Sequence, residues 1–142
     1  MKRRRAADQC GFVAAELVAG LALLVVPVTV IVLAMPQWAE RETDARAIAR
    51  EVGRTLARAG WCDVGEASAI VDRMAANVSL PRGDVSVELH CVAETALIPG
   101  TDLTVDVGVR MPPVHLPAIG YVAAWAWTAR HREPVDLYGG QR

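Results

Sequence analysis

The chain has 142 residues, room for one domain at most, and once its long apolar run is set aside roughly a hundred residues remain to build a modest core. Its 15 basic and 16 acidic residues nearly cancel to a formal charge of −1, but they are unevenly spread: Lys2, Arg3, Arg4 and Arg5 open the chain, and only Asp8 and Glu16 follow before Glu40. That asymmetry points to a membrane and gives no case for nucleic acid.

From Phe12 to Met35 the chain reads "FVAAELVAGLALLVVPVTVIVLAM", with Glu16 its only ionisable residue. A helix of that length is about 36 Å long, against about 30 Å of bilayer hydrocarbon, so residues 12–35 can span a membrane. A secretory signal peptide is the rival, since Val32 and Ala34 make a tolerable cleavage site, yet such a signal has an apolar region of about 7 to 15 residues and no acid. A lipoprotein signal fits less well, because Cys10 precedes the apolar run. By the positive-inside rule "MKRRR" stays in the cytoplasm and everything after Met35 lies outside, which makes this a single-pass protein of the cytoplasmic membrane. Pro27 removes one backbone hydrogen bond within the span, which membrane helices tolerate.

Residues 36–60 keep a helical period. Ala45, Ile48, Ala49, Val52, Leu56 and Ala59 recur at steps of three and four, an apolar stripe with charged residues on the remaining faces, so the spacing predicts an amphipathic stem continuing the membrane helix. Pro36 marks either a fresh start or a kink, Gly60 is placed to end the helix, and Trp38 falls near the outer water interface. Arg46, Arg50, Arg54 and Arg58, each four residues from the next, form a drifting stripe. It reads either as a solvated face, helped by a Glu42–Arg46 pair worth about 0.2–0.5 kcal/mol, or as a contact surface for acidic lipid headgroups or an acidic partner helix.

Beyond the stem, residues 61–142 read as an extracytoplasmic α+β head. "GEASAIVDRMAANV" places Ala67, Ile70, Val71 and Met74 at helical spacing. "VSVELHCV" from Val85 alternates, with Val85, Val87, Leu89 and Cys91 on one face, and "LTVDVGVRM" from Leu103 does the same with Leu103, Val105, Val107, Val109 and Met111. A third strand is expected in "YVAAWAWTARHR", with Tyr121, Trp125 and Trp127 on one face, although its alanines also suit a helix. The connecting "PPVHLPAIG" holds three prolines and is expected to lack regular structure, its apolar Val114, Leu116 and Ile119 either folding back over the sheet or facing another subunit. The fold expected is therefore α+β: a long N-terminal helix, membrane span then stem, carrying a small antiparallel sheet.

Of the three cysteines, Cys62 and Cys91 both fall on the outer side of the membrane and Cys10 on the inner. An oxidising compartment favours pairing Cys62 with Cys91, which would contribute about 3–4 kcal/mol by closing the loop between them; the alternative is two buried free thiols. Enzymatic constellations are not found. His90 and Cys91 are neighbours on a strand and point to opposite faces, His115 sits in the proline loop, and His131 sits in a basic tail, none with a paired ligand at zinc-like spacing. No phosphate-binding glycine loop or nucleophile elbow occurs, so no metal, cofactor or small-molecule substrate is expected.

A basic leader, then Gly11, Phe12, and Glu16 as the fifth residue counted from Phe12, followed by an apolar helix, resembles the class III signal of type IV pilins over "RRRAADQCGFVAAELV". The resemblance implies that residues 1–11 are a leader removed by a prepilin peptidase between Gly11 and Phe12. It also implies that Glu16 meets the new N-terminal amine of Phe12 on a neighbouring subunit. That gives a physical reason for an acid in an apolar helix, where one carboxylate costs up to about 3 kcal/mol. The other reading of Glu16 is that it lies close enough to the helix start to reach headgroup water and favour the helix dipole. Within the superfamily, "AAE" after the glycine, the "ARAIAREVGRTLARAG" stem and the alternating C-terminal strands look most like the TadE-like minor pilins or pseudopilins of tight-adherence systems. Partners implied are the prepilin peptidase, other pilin subunits and the pilus assembly platform. The alternative function is a membrane-anchored docking subunit of a secretion or cell-envelope complex that never polymerises. The richness in Ala, Arg and Val suits a high-GC bacterium such as an actinobacterium.

Overall fold

The computed structural model describes residues 4–92, 96–116, 120–122 and 124–135. Helix α1 runs from Arg4 to Ala59, α2 from Val64 to Asn77, and a single 3-10 turn from Arg82 to Asp84 leads into five strands: β1 Val85–His90, β2 Asp102–Arg110, β3 Val114–Leu116, β4 Gly120–Val122 and β5 Ala126–Pro134. The fold is α+β. The chain divides into two compact units, one made of α1 up to Pro36 with the segment from Pro113 to Ala123, the other of Gln37–Pro112 and the chain from Ala124 onward.

α1 carries both Pro27 and Pro36 in its interior without ending, so Pro36 neither caps a new helix nor breaks the old one. The helix stops where the glycine signal places its end: Gly60 adopts a left-handed φ of +77°, which a side chain would resist, and its N–H closes the last turn on the Leu56 carbonyl at 2.9 Å. Asp63 then caps α2, its carboxylate accepting from the Gly65 and Glu66 N–H groups at 2.7 and 3.3 Å.

The head is a three-stranded antiparallel sheet in the order β1-β2-β5, with β2 central. Register follows from the pairs Val87–Val107 and Val107–Ala129, so Val85, Val87 and Leu89, then Leu103, Val105, Val107 and Val109, then Trp127 and Ala129 share the inner face. Against that face lie Ala45, Ile48, Ala49, Val52 and Leu56 of α1 and Ala67, Ile70, Val71 and Ala75 of α2. Ile48, Val52, Leu56, Val105 and Val107 are 0–1% exposed. Burying a side chain of that size stabilises by about 1.5–3 kcal/mol, so the stem stripe is the principal glue between helix and sheet. The stem is also pinned by polar contacts: Arg41 Nη1 donates to Asp84 Oδ2 at 3.2 Å and to the Arg110 carbonyl at 2.6 Å. Cys62 is joined to Cys91 by a disulfide, Cα to Cα 6.5 Å, both half-buried against the core.

Three expectations for the C-terminal part need correction. The proline-rich connection does contain regular structure, because Pro112 and Pro113 precede Val114–Leu116 without entering it, and that triplet pairs antiparallel with Gly120–Val122; Pro117 and Ile119 lie outside the described residues. The third strand does not begin at Tyr121 and is not helical. Tyr121 belongs to the small β3–β4 hairpin, while β5 starts at Ala126, so Tyr121, Trp125 and Trp127 do not share one strand face. His131 likewise stands within β5 rather than in a tail.

Candidate functional site

Two groups of residues are expected from the sequence to carry function, and the structure adds a third. The first is the N-terminal triad. Gly11 and Phe12 fall inside α1, with side chains outside the described residues, and Glu16 is exposed on the helix with no hydrogen bond or ion pair among the described residues. α1 begins at Arg4, so Glu16 stands more than three turns into it, beyond the first turn in which the helix dipole favours an acid. Removing residues 1–11 would bring the same carboxylate to the fifth position of the chain. Apart from Glu16, the helix from Val13 to Pro36 is apolar on all sides: an eighteen-residue stretch of α1 reaches a mean hydropathy of 2.9, and among the described residues α1 is the one helix long and apolar enough to cross a membrane.

The second group is the arginine stripe. Arg46, Arg50, Arg54 and Arg58 are all exposed, and they flank β5 instead of standing clear of the head. Arg46 pairs with Glu42 and lies over the Trp127 ring, 5.2 Å from its centroid, an arrangement of about 0.5–1 kcal/mol at an exposed site. Arg46 and Arg50 line a shallow depression of about 330 Å³ with Trp127–His131, and Arg54 and Arg58 line a second of about 570 Å³ with Gly60, Leu97 and Val135. β5 is an edge strand of this sheet among the described residues. Between the two arginine pairs the helix packs tightly on β5 at Gly53, where an added Cβ would sit 3.0 Å from His131 Cδ2 and 3.4 Å from Glu133 Cβ. Glycine costs about 1 kcal/mol relative to alanine inside a helix, and here it makes room for the His131–Glu133 pair, Nε2 to Oε2 2.8 Å.

The third group is one that the sequence did not single out. Asp106 lies on the outer face of β2, yet it is only 6% exposed because its neighbours fold over it. Arg130 donates to both carboxylate oxygens, Nε to Oδ1 at 2.8 Å and Nη2 to Oδ2 at 2.7 Å, and His90 Nε2 stands 3.3 Å from Oδ2. The hydrogen bonds from Arg130 hold the Asp106 carboxyl below the usual carboxylate range; burial opposes them, and the charge of Arg130 and the contact with His90 add to the lowering. Arg130 is raised in turn by the same hydrogen bonds and charge. The alternation of β2 places Asp106 on the polar face from sequence alone, but the partner sits on β5, and only the strand order brings Arg130 opposite.

Among the described residues no three His, Cys, Asp or Glu side chains come together as metal ligands would. His90 reaches Asp106, His131 reaches Glu133, and His115 stands edge-on to Tyr121 with ring centroids 4.8 Å apart. Trp38 packs edge-on against Trp125 at 6.1 Å, with a long hydrogen bond from Nε1 to the Pro112 carbonyl at 3.5 Å. Compared with known proteins, the chain matches no family model, no curated protein and no solved structure.

Proposed function

We propose that the protein is a non-enzymatic, pilin-like subunit of the TadE-like kind, cut by a prepilin peptidase between Gly11 and Phe12 and used to start, cap or stabilise a pilus of the tight-adherence type. The observation that carries this reading is the double use of one helix. The apolar run bearing Glu16 continues without interruption into the stem, and the stem itself supplies Ile48, Val52 and Leu56 to the core of the head. A cleavable secretory signal has no reason to be covalent with a core helix; a retained helical spine does. The lone acid adds support, since a carboxylate in an otherwise apolar span needs a partner, and a freed Phe12 amine on an adjacent subunit is a partner of the right charge. In this reading the leader keeps its cytoplasmic side through its four basic residues, the head is outside, and the Cys62–Cys91 disulfide suits that compartment.

Cleavage is the decisive test. Loss of residues 1–11 removes four basic residues and one acid, leaving 11 basic against 15 acidic residues and a formal charge of −4. Intact mass and N-terminal sequencing of membrane-extracted protein should find Phe12 at the amino end. An uncut chain in cells with an active prepilin peptidase would transfer the argument to an anchored docking subunit that never polymerises. Glu16→Ala should leave cleavage and membrane level intact while recovery in sheared fibres falls sharply, with Glu16→Asp falling less.

A further inference from the structure

The nineteen residues from Met111 to Ala129 contain no Asp, Glu, Lys or Arg, in a chain where those four types make up 22% of the total. The β3–β4 hairpin lies inside this stretch. One of its sides is covered: Val114 and Leu116 are 9% and 5% exposed, yet neither belongs to the core between the stem and the large sheet. The hairpin groups instead with the apolar part of α1. Between Val13 and Pro36, where almost every residue of that helix is open, only Pro27, Val30 and Ala34 have reduced exposure, and their spacing of three and four puts them on one face. The other side of the hairpin is open: Tyr121 is 75% exposed, and its cross-strand partner His115 is exposed beside it.

We propose that the β3–β4 hairpin is a second lipid-contacting element, lying in the interfacial layer of the bilayer against the Pro27–Ala34 face of α1 and presenting the face of Tyr121 and His115 to lipid. Three arguments set its depth. A stretch with no formal charge loses no charge hydration on entering the headgroup region, and a tyrosine ring with an apolar body and a polar tip is favoured there. A two-stranded hairpin cannot go deeper, because its outer edges have no strand partner among the described residues, and hydrocarbon would leave their N–H and C=O groups unsatisfied. The helix length agrees: Phe12 to Val30 is nineteen residues, about 28 Å, close to the roughly 30 Å of hydrocarbon, so the hairpin-covered turns fall at the boundary and Ile31–Met35 lie at headgroup level. The inference rests on α1 as a membrane anchor and is independent of whether Gly11–Phe12 is cut.

Site-directed spin labelling of the full chain tests it. Cys10→Ser removes the third cysteine and leaves the Cys62–Cys91 pair closed; a nitroxide is then placed by Tyr121→Cys, or by His115→Cys on the same face should the first disturb the hairpin. The protein is reconstituted in vesicles of phosphatidylcholine and phosphatidylglycerol, with Ser68→Cys on the exposed face of α2 as the aqueous reference and Leu24→Cys as the mid-span reference. The label on the hairpin should collide with oxygen several-fold more, relative to a water-soluble nickel chelate, than the label at position 68. Equal access to nickel at the two positions overturns the proposal. So does shielding from both reagents, which would assign the face to another copy of the chain. Free nickel access at position 24 would instead overturn the membrane anchor itself, which separates the two failures.

Discussion

Two halves of α1 share one backbone helix and answer to different solvents. Before Pro36 its large apolar side chains stand open, Leu17 at 69%, Leu24 at 67% and Leu33 at 70% exposure, with hydrophobic residues on every side. After Pro36 the apolar residues narrow to a stripe, and Ile48, Val52 and Leu56 are exposed by no more than 1%. A helix apolar all round needs lipid or other helices for its whole circumference, whereas a striped helix needs one protein face and water for the rest. How far the apolar surface reaches around the helix axis tells the anchor from the core element.

That contrast can be broken from the stem side first. Val52→Asp would bury an unpaired carboxylate between α1 and β2, a cost of about 3–5 kcal/mol and a large share of what a small domain has in reserve. The head should lose its cooperative thermal transition by circular dichroism in detergent, while the protein still partitions into membranes. Leu24→Ala, on the other half, should leave the transition temperature of the head unmoved, because Leu24 is 67% exposed and no part of the head's core. A head that melts equally in both variants would mean the halves are not energetically separate.

A smaller effect is expected at the staple that holds the stem's exit to the sheet. Cys62→Ser should destabilise the head by about 3 kcal/mol, from the loop that the bridge closes across a separation of 29 residues, and reductant applied to the parent protein should lower its transition temperature as far as the substitution does. Membrane retention should be unaffected in both cases, again sharpening the division.

The smallest expected effect depends on pH and lies wholly in the head. Asp106 has its carboxyl lowered in the folded state by Arg130, so the folded form binds its proton less readily than the unfolded chain. The stability this contributes is fully present above the unfolded value of about 3.9 and is lost as pH falls through the folded pKa. Acid titration of the head's transition temperature should therefore steepen below about pH 4, and Asp106→Asn should flatten that part of the curve while lowering stability at neutral pH. An unchanged acid limb would show that Arg130 and Asp106 do not pair in solution.

Local periodicity made the helices, β1 and β2 legible, since each depends on residues a few positions apart, and the Cys62–Cys91 bridge followed from the compartment expected for the head. Ile48, Val52 and Leu56 could be assigned to one stripe, and Val105, Val107 and Val109 to one face, without knowing what covered them. What stayed hidden depended on partners. Val114–Leu116 is too short to show a period, and three prolines masked it; its strand character comes from pairing with Gly120–Val122. Asp106 and Arg130 are 24 residues apart, and nothing before the strand order distinguishes their union from two solvated charges. Pro36 gave an ambiguous signal because a proline fits a first turn and a kink alike; the helix runs on through it.

Gly53 has a consequence for how the helix is keyed. A helix seated on a sheet by aliphatic side chains alone can rotate or slip by small steps among nearly equivalent fits, since valines, leucines and alanines are poorly distinguished by shape. At Gly53 there is a notch one residue wide, and the His131–Glu133 pair of β5 fits into it. Turning α1 by one residue, about 100° around its axis, would bring Val52 or Arg54 to that spot and close the notch. The glycine thus acts as an index mark. It sets the azimuth of the stem, and with it the direction in which Arg50 and Arg54, on either side, are offered to whatever meets that face.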